Sequence, residues 1–254
     1  MRVITLLTDF GSFYPAQMKG VILSRLGDLA KDIITFVDIA HDIPPQDIRA
    51  GAFALLSSVR YFPAGTIHIA VIDPGVGTER LGIVVESGGQ FFIGPDNGLL
   101  IPAAKSLGSP QAHKIACKFD SSATFHGRDI FAPAAALLVE GKSIQSIGPR
   151  ISPIDIDFGA ARLTEDGISA TVIYVDRFGN LILNMRKLPM SCISLKGIKL
   201  KRVRTYAEAR RIEPLITIGS HGFAEIAVNK GSAADAFGLK VGDRITLEEI
   251  DCLE

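Results

Sequence analysis

Residues 67–72 (Ile-His-Ile-Ala-Val-Ile) are a run of apolar β-formers broken only by His68, and they lead straight into Asp73-Pro-Gly-Val-Gly-Thr-Glu-Arg80. A strand that is apolar at nearly every position is buried on both faces, as in the centre of a sheet covered by helices. The run therefore calls for an α/β layer. It also sets a carboxylate at the strand's carboxyl end, where open α/β sheets hold their ligands. Pro74, Gly75 and Gly77 predict a tight turn that lets backbone approach a ligand, and Arg80 returns a positive charge toward Asp73.

The rest of the first part alternates in the same way. Strands are predicted over 3–7, 33–37 and 67–72, with a hairpin of 82–86 and 90–93 about Gly88-Gly89. Helices are predicted over 15–26, 46–60 and 128–139, and from 96 to about 104. Strands separated by helices imply a mostly parallel or mixed central sheet covered on both faces. Near Asp155 the pattern changes to short β-like runs at 168–175, 181–183, 198–205, 215–218, 224–228 and 243–247. Turn signals such as Phe178-Gly179-Asn180 separate them, as in a small all-β sandwich or barrel. The expectation is an N-terminal α/β domain over 1–158 and a smaller, barrel-like β-domain over 166–254.

The chain's 254 residues suffice for this plan, and 47% hydrophobic content supports well-buried cores. Basic and acidic residues balance at 27 each, which leaves no electrostatic footprint for nucleic acid or an anionic membrane. The basic stretch 199–204 is interleaved with apolar residues and reads as a solvated strand face. Cys117, Cys192 and Cys252 are widely spaced and odd in number. That suits neither a disulfide framework nor a zinc site, so free thiols in a reducing compartment are expected. The chain enters its first strand directly, without a signal-peptide pattern, and no apolar run approaches the length of a membrane span. It reads as a cytoplasmic, soluble protein.

Several loops carry candidate chemistry. Asp9 closes the first strand as Asp73 closes the third, and a carboxylate there can accept bonds from the vicinal hydroxyls of a ribose, or serve as a cap or Asx-turn. In the loop 38–47, His41 and Asp42 are candidates for ligand binding, against a rigid helix entry built on Pro44-Pro45 and Gln46-Asp47. His126 precedes an apolar helix, beside Gly127, and is placed for acid–base or water-orienting work. Asp176 and Asn180 flank a glycine turn that suits an ammonium and a heterocycle edge, or a plain β-turn. The turns at 220–222 and 228–233 are equally open. No GxxxxGK[ST] or complete dinucleotide fingerprint occurs, which disfavours nucleoside triphosphates and NAD.

Seven segments in order, TDFG at 8–11, HDIPPQD at 41–47, DPGVGTER at 73–80, GPDNG at 94–98, TFHGRD at 124–129, DRFGN at 176–180 and EIAVNKGSAA at 225–234, resemble the S-adenosyl-L-methionine hydroxide adenosyltransferase family, relatives of the bacterial fluorinase and chlorinase. The resemblance implies an α/β domain followed by a β-barrel. It implies attack of water or hydroxide on C5′ of S-adenosyl-L-methionine, giving adenosine and L-methionine without a metal or redox cofactor. It assigns Asp73, Arg80 and His126 to catalysis, with His126 as the proton acceptor or an Arg-stabilised hydroxide in its place. Asp9 becomes the ribose-diol carboxylate, and Gln46, Val76 and Gly127 further substrate contacts. Asp176, Asn180, Ser220, Val228 and Lys230 become contacts from the β-domain. A homotrimer is implied, with the ligand between one subunit's first domain and a neighbour's second. The halogenating relatives have a Tyr-Ser pair where this chain has His126-Gly127, and a hydroxy-aromatic environment where it has Asp73. Halide transfer is therefore the weaker reading, and a non-catalytic adenosine or S-adenosylmethionine sensor is the rival from another class.

Overall fold

The computed structural model describes residues 2–30, 34–117, 119 and 122–251. The chain divides into two units, Met1–Asp157 and Phe158–Glu254. Ile33 and Cys252, which figure in the expectations above, lie outside the described residues.

In the first unit the apolar runs form β1 (Arg2–Thr8), β2 (Ile34–Ala40) and β3 (Ile67–Val71), and α1 (Phe13–Leu26) and α2 (Ile48–Ser58) connect them. Then follow β4 (Gly82–Ser87), β5 (Gln90–Pro95), α3 (Ile101–Leu107), β6 (Gln111–Lys114), α4 (Ala132–Val139), α5 (Ile144–Ile147) and β7 (Arg150–Ile151). The sheet runs β2-β1-β3-β5-β4-β6-β7. It is parallel from β2 to β5 and antiparallel beyond. The chain leaves β1 for β2 on one side and returns to β3 on the other, so the order reverses between β1 and β3. Thr8 pairs with Val71 there, which brings the two carboxyl ends level.

Strand alternation sends Ile4, Leu6, Ile67, Ile69 and Val71 into one core with Met18 and Ile22 of α1 and the alanine-rich face of α4. The opposite face is covered by α2 and α3, which pack on each other. His68 points to that second face and is buried: Nδ1 lies 2.7 Å from Thr5 Oγ1 and Nε2 2.8 Å from Gln90 Oε1.

The second unit contains β8 (Arg162–Thr164), β9 (Gly167–Val175), β10 (Leu181–Leu183), β11 (Cys192–Leu195), β12 (Ile198–Arg202), β13 (Pro214–Ile218), β14 (Ala224–Val228), a short helix α6 (Ala233–Phe237) and β15 (Arg244–Ile250). Seven strands close in the order β10-β14-β13-β12-β11-β15-β9 through the β9–β10 pairing, with β8 added outside β9. Closure removes the sheet edges, and Val172, Leu183, Ile216, Ile226 and Leu247 fill the interior. Both expected architectures, the α/β layer and the β-barrel, are present. Among the described residues no helix is long and apolar enough to cross a membrane.

The departures have local causes. The helix expected from 96 begins at Ile101 instead. Asp96 accepts from Ile154 N–H and Asn97 accepts from Leu99 N–H, so side-chain bonds hold a turn before it. The helix expected over 128–139 starts as a π-helical turn at Gly127–Phe131. The short helix α6 escapes a search for long apolar periodicity, yet Ser232 caps it by accepting from Asp235 N–H. Cys117 is a free thiol, but Cys192 is disulfide-bonded, which corrects the expectation of free thiols.

Candidate active site

Two carboxylates follow the adjoining strands directly, Asp9 after β1 and Asp73 two residues after β3. They share a cavity of about 670 Å³ with Gln46, Val76, His126 and Gly127 in its wall. It opens at the carboxyl ends of β1 and β3, the switch point of the sheet. Of the loop after β2, Pro45 and Gln46 rather than His41 or Asp42 contribute to that wall. Asp47 caps α2 by accepting from Ala50 N–H, so the loop is also a rigid helix entry.

Arg80 joins the remaining groups. Its Nε lies 2.9 and 3.0 Å from the two Asp73 oxygens, and its Nη2 also donates to Asp73 Oδ2. The same Nη2 lies 2.7 Å from His126 Nδ1. The guanidinium stacks over the Phe131 ring at 5.4 Å, and the Asp73 and Arg80 side chains are only 6% and 11% exposed. A pair this dry depends on both members, because removing one strands a buried charge at a cost of roughly 3–5 kcal/mol.

Burial pushes the His126 pKa below its ordinary value, and the Arg80 charge adds to this against the opposing pull of Asp73 and Asp129. The ring is therefore neutral at pH 7. An arginine has only donors, so Nδ1 must accept and the ring proton sits on Nε2. In this arrangement the ring's one lone pair is engaged by Arg80, while the residue lines the cavity.

Two glycines let these loops meet. Gly77 has φ +78°, and a Cβ there would lie 2.5 Å from Ala123 O, so loop 73–80 lies directly on the segment before His126. At Gly127 a Cβ would come within 3.1 Å of the Phe125 ring and 3.3 Å of Met18 sulfur. Asp129 braces the segment by accepting from Ser122 N–H and Oγ–H at 2.9 and 2.8 Å. The Arg128 bond, helped by those from Ser122, holds its carboxyl down at about 2.

In the second unit Asp176 and Asn180 form one turn. Asp176 Oδ1 accepts from the Phe178 and Asn180 amides, and Oδ2 accepts from Asn180 Nδ2, each at 2.9 Å. The β-turn reading and the ligand reading are thus compatible, since the turn fixes both side chains. Ser220 lies exposed after β13, Val228 is buried at the end of β14, and Lys230 holds a left-handed φ of +59° in the following turn. Nearby, His221 approaches the buried Glu225 with Nε2 at 3.2 Å, and Tyr206 OH donates to the same carboxylate.

Residue-level reading missed Phe10, Tyr14, Gln17, Thr124, Phe125 and Arg128, all of which line the cavity. Phe10, Tyr14 and Phe125 meet edge to face at 5.2–5.9 Å. Tyr14 and Gln17 are three apart on α1, so they share a helix face, and that spacing was the available signal.

Comparison with known proteins identifies the family. Residues 4–148 match the SAM hydroxide adenosyltransferase N-terminal domain and residues 170–246 the C-terminal domain. A protein of Salinispora tropica named (R)-S-adenosyl-L-methionine hydrolase is 38% identical, over 95% of this chain and 96% of its own. A fluorinase of an Actinoplanes species is more distant, 25% identical over 96% and 97%. The crystal structure of an uncharacterized conserved protein from Thermotoga maritima superposes with TM-score 0.85 at 31% identity, covering 96% of this chain and 99% of the other. The chain belongs to the SAM hydroxide adenosyltransferase family.

Proposed function

We propose that the protein hydrolyses S-adenosyl-L-methionine to adenosine and L-methionine. The observation that carries this reading is the linked Asp73–Arg80–His126 set, whose Asp73 and His126 line a cavity that also holds Asp9. A bond forms between the water oxygen and C5′ while the C5′–S bond breaks, and its electron pair goes to sulfur, which becomes a neutral thioether. The sulfonium is already an activated leaving group, so the step needs neither metal nor redox cofactor. The protein's work is to place the oxygen behind C5′, in line with sulfur, and to strip it partly of water.

Arg80 holds the Asp73 carboxylate through paired hydrogen bonds, and Asp73 accepts a further hydrogen bond from the attacking water. Nε2–H of His126 orients the same water. The proton released as C5′–O forms passes to Asp73 and on to solvent. Asp9 takes the ribose hydroxyls, with Gln46, Val76 and Gly127 around the sugar and the reacting carbon.

The carboxylate also argues against halide as the nucleophile. A halide about 4 Å from Asp73 would meet a repulsion of about 4 kcal/mol at an effective dielectric constant near 20, offset only in part by the more distant Arg80. We expect adenosine and methionine to appear when the pure protein meets S-adenosyl-L-methionine between pH 6 and 9. The name of the Salinispora tropica relative specifies (R)-S-adenosyl-L-methionine, and the same preference is expected here. Absence of adenosine would reject the reading, and a 5′-halo-5′-deoxyadenosine product rising with chloride or fluoride would replace it. Tight adenosine binding without turnover would favour a sensor.

The working assembly is read as a homotrimer in which Asp176, Asn180, Ser220, Val228 and Lys230 of a neighbour complete the pocket. Supporting this, the cavity wall belongs to the first unit, while these ligand candidates lie in the second. Mixing inactive Asp73→Asn and Asn180→Ala chains should restore part of the activity through shared sites. No restoration on subunit exchange would refute the shared site.

A further inference from the structure

We propose that His41, although it is not part of the cavity wall, is a positioning residue for Asp9. The inference rests on the reading of Asp9 as the carboxylate that takes the ribose hydroxyls. Asp9 and Phe10 lie on a turn beyond the end of β1, and three bonds tie that turn to the loop after β2. His41 Nδ1 lies 2.9 Å from Thr8 Oγ1, and His41 O accepts from Gly11 N–H at 2.9 Å. Gln46 N–H donates to Asp9 Oδ2 at 2.7 Å. A single residue thus grips the turn on both sides of Asp9 and Phe10, once through its ring and once through its carbonyl.

The local backbone is shaped for this grip. The β1–β2 register shifts between Leu6 and Leu7, so that Ala40 pairs with Leu7 and the next residue, His41, comes beside Thr8. Gln46 holds a left-handed φ of +65°. A non-glycine residue keeps that conformation only where its surroundings enforce it, and here it aims the amide at Asp9.

The His41 ring is braced from behind. Its Nε2 lies 3.1 Å from Asp38 Oδ1, a close electrostatic contact without the direction of a well-aligned hydrogen bond. Asp38 Oδ2 accepts from Lys19 Nζ at 2.6 Å. Burial opposes charge on Asp38, but Lys19 and His41 outweigh it and hold the carboxyl below its usual range. The anion attracts the ring proton to Nε2, which leaves Nδ1 to accept from the Thr8 hydroxyl. With one Asp9 oxygen engaged by Gln46, the carboxylate still has acceptor sites to offer a diol in a fixed direction.

The test measures kcat and KM for S-adenosyl-L-methionine, and inhibition by adenosine and by 2′-deoxyadenosine, which lacks one hydroxyl. Four proteins are compared: the parent, His41→Ala, His41→Asn, whose amide replaces Nδ1, and Thr8→Val, which keeps shape without the hydroxyl. His41→Ala and Thr8→Val should raise KM roughly tenfold, the size of a misaligned charge-assisted bond, with kcat within about threefold. Their preference for adenosine over 2′-deoxyadenosine should collapse toward one, and His41→Asn should restore it. An unchanged preference in His41→Ala and Thr8→Val, or a fall in kcat at constant KM, overturns the role of His41. If His41→Ala does not fold, Thr8→Val decides by the same readout. A parent protein that does not distinguish the two nucleosides refutes Asp9 as diol acceptor, and the proposal with it.

Discussion

His68 should make the first unit sensitive to acid. Its ring projects from β3, stacked on Phe92 at 5.1 Å and bonded to Thr5 and Gln90. Burial lowers its pKa from 6.5 to about 4, against the opposing effect of the Gln90 bond. Above pH 7 the imidazole is neutral in folded and unfolded chains alike, so it has no pH-dependent effect there. Below 6.5 the unfolded chain takes up a proton that the folded one refuses, and stability falls by about 1.4 kcal/mol per pH unit. The fall ends near pH 4, where the folded ring also protonates. Between pH 7.5 and 4.5 this amounts to about 2.5 kcal/mol from one residue.

Replacing it by His68→Gln removes the titration, while the other ionisable groups remain common to both proteins. The two units can open separately, so a global melt is not the right probe. Protection of the β1 and β3 amides against hydrogen exchange, with variant and parent compared at each pH, isolates the effect. The variant starts less stable at neutral pH but should lose less protection on acidification, closing the gap by about 2.5 kcal/mol. Parallel losses in the two proteins would refute the reasoning. The consequence reaches the site, because Thr5–His68 ties together the two strands that carry Asp9 and Asp73.

Asp73→Asn should lower kcat by roughly a hundredfold or more, the scale of a lost proton-accepting group, with adenosine affinity nearly unchanged by calorimetry. A loss of adenosine binding as large as the loss of rate would contradict its role. Since the His126 pKa is depressed, kcat/KM should stay flat through neutral pH and fall only on the acid side of the ordinary imidazole range. There a protonated Nδ1 would confront Arg80, and a profile that rises with acid would overturn the neutral assignment. Phe131→Ala, at a site with no solvent exposure, should cost about 3–5 kcal/mol and release the Arg80 guanidinium, read as lower stability together with lower kcat.

Much of this protein was legible in the residues taken alone. The strands at 67–72, 181–183 and 224–228, the change of pattern near 155, and Asp9 and Asp73 at strand ends all follow from apolar periodicity and turn chemistry, which are local properties. The family resemblance joined Arg80 and His126 to Asp73 as one catalytic set. Tertiary structure decided the rest. The strand β6, Gln-Ala-His-Lys, has little β character of its own and exists because β4 offers it a partner. The helix start at Ile101 depended on a bond from Asp96 to a residue 58 positions away. Whether His126 accepts or donates a proton depended on which of its nitrogens meets Arg80, 46 residues earlier. The tie from His41 to the Asp9 turn required a register shift between two strands that no single segment encodes. In each case the deciding energy is a hydrogen bond or a desolvated charge between distant segments, and it acquires a value only once the fold has brought them within 3 Å or so.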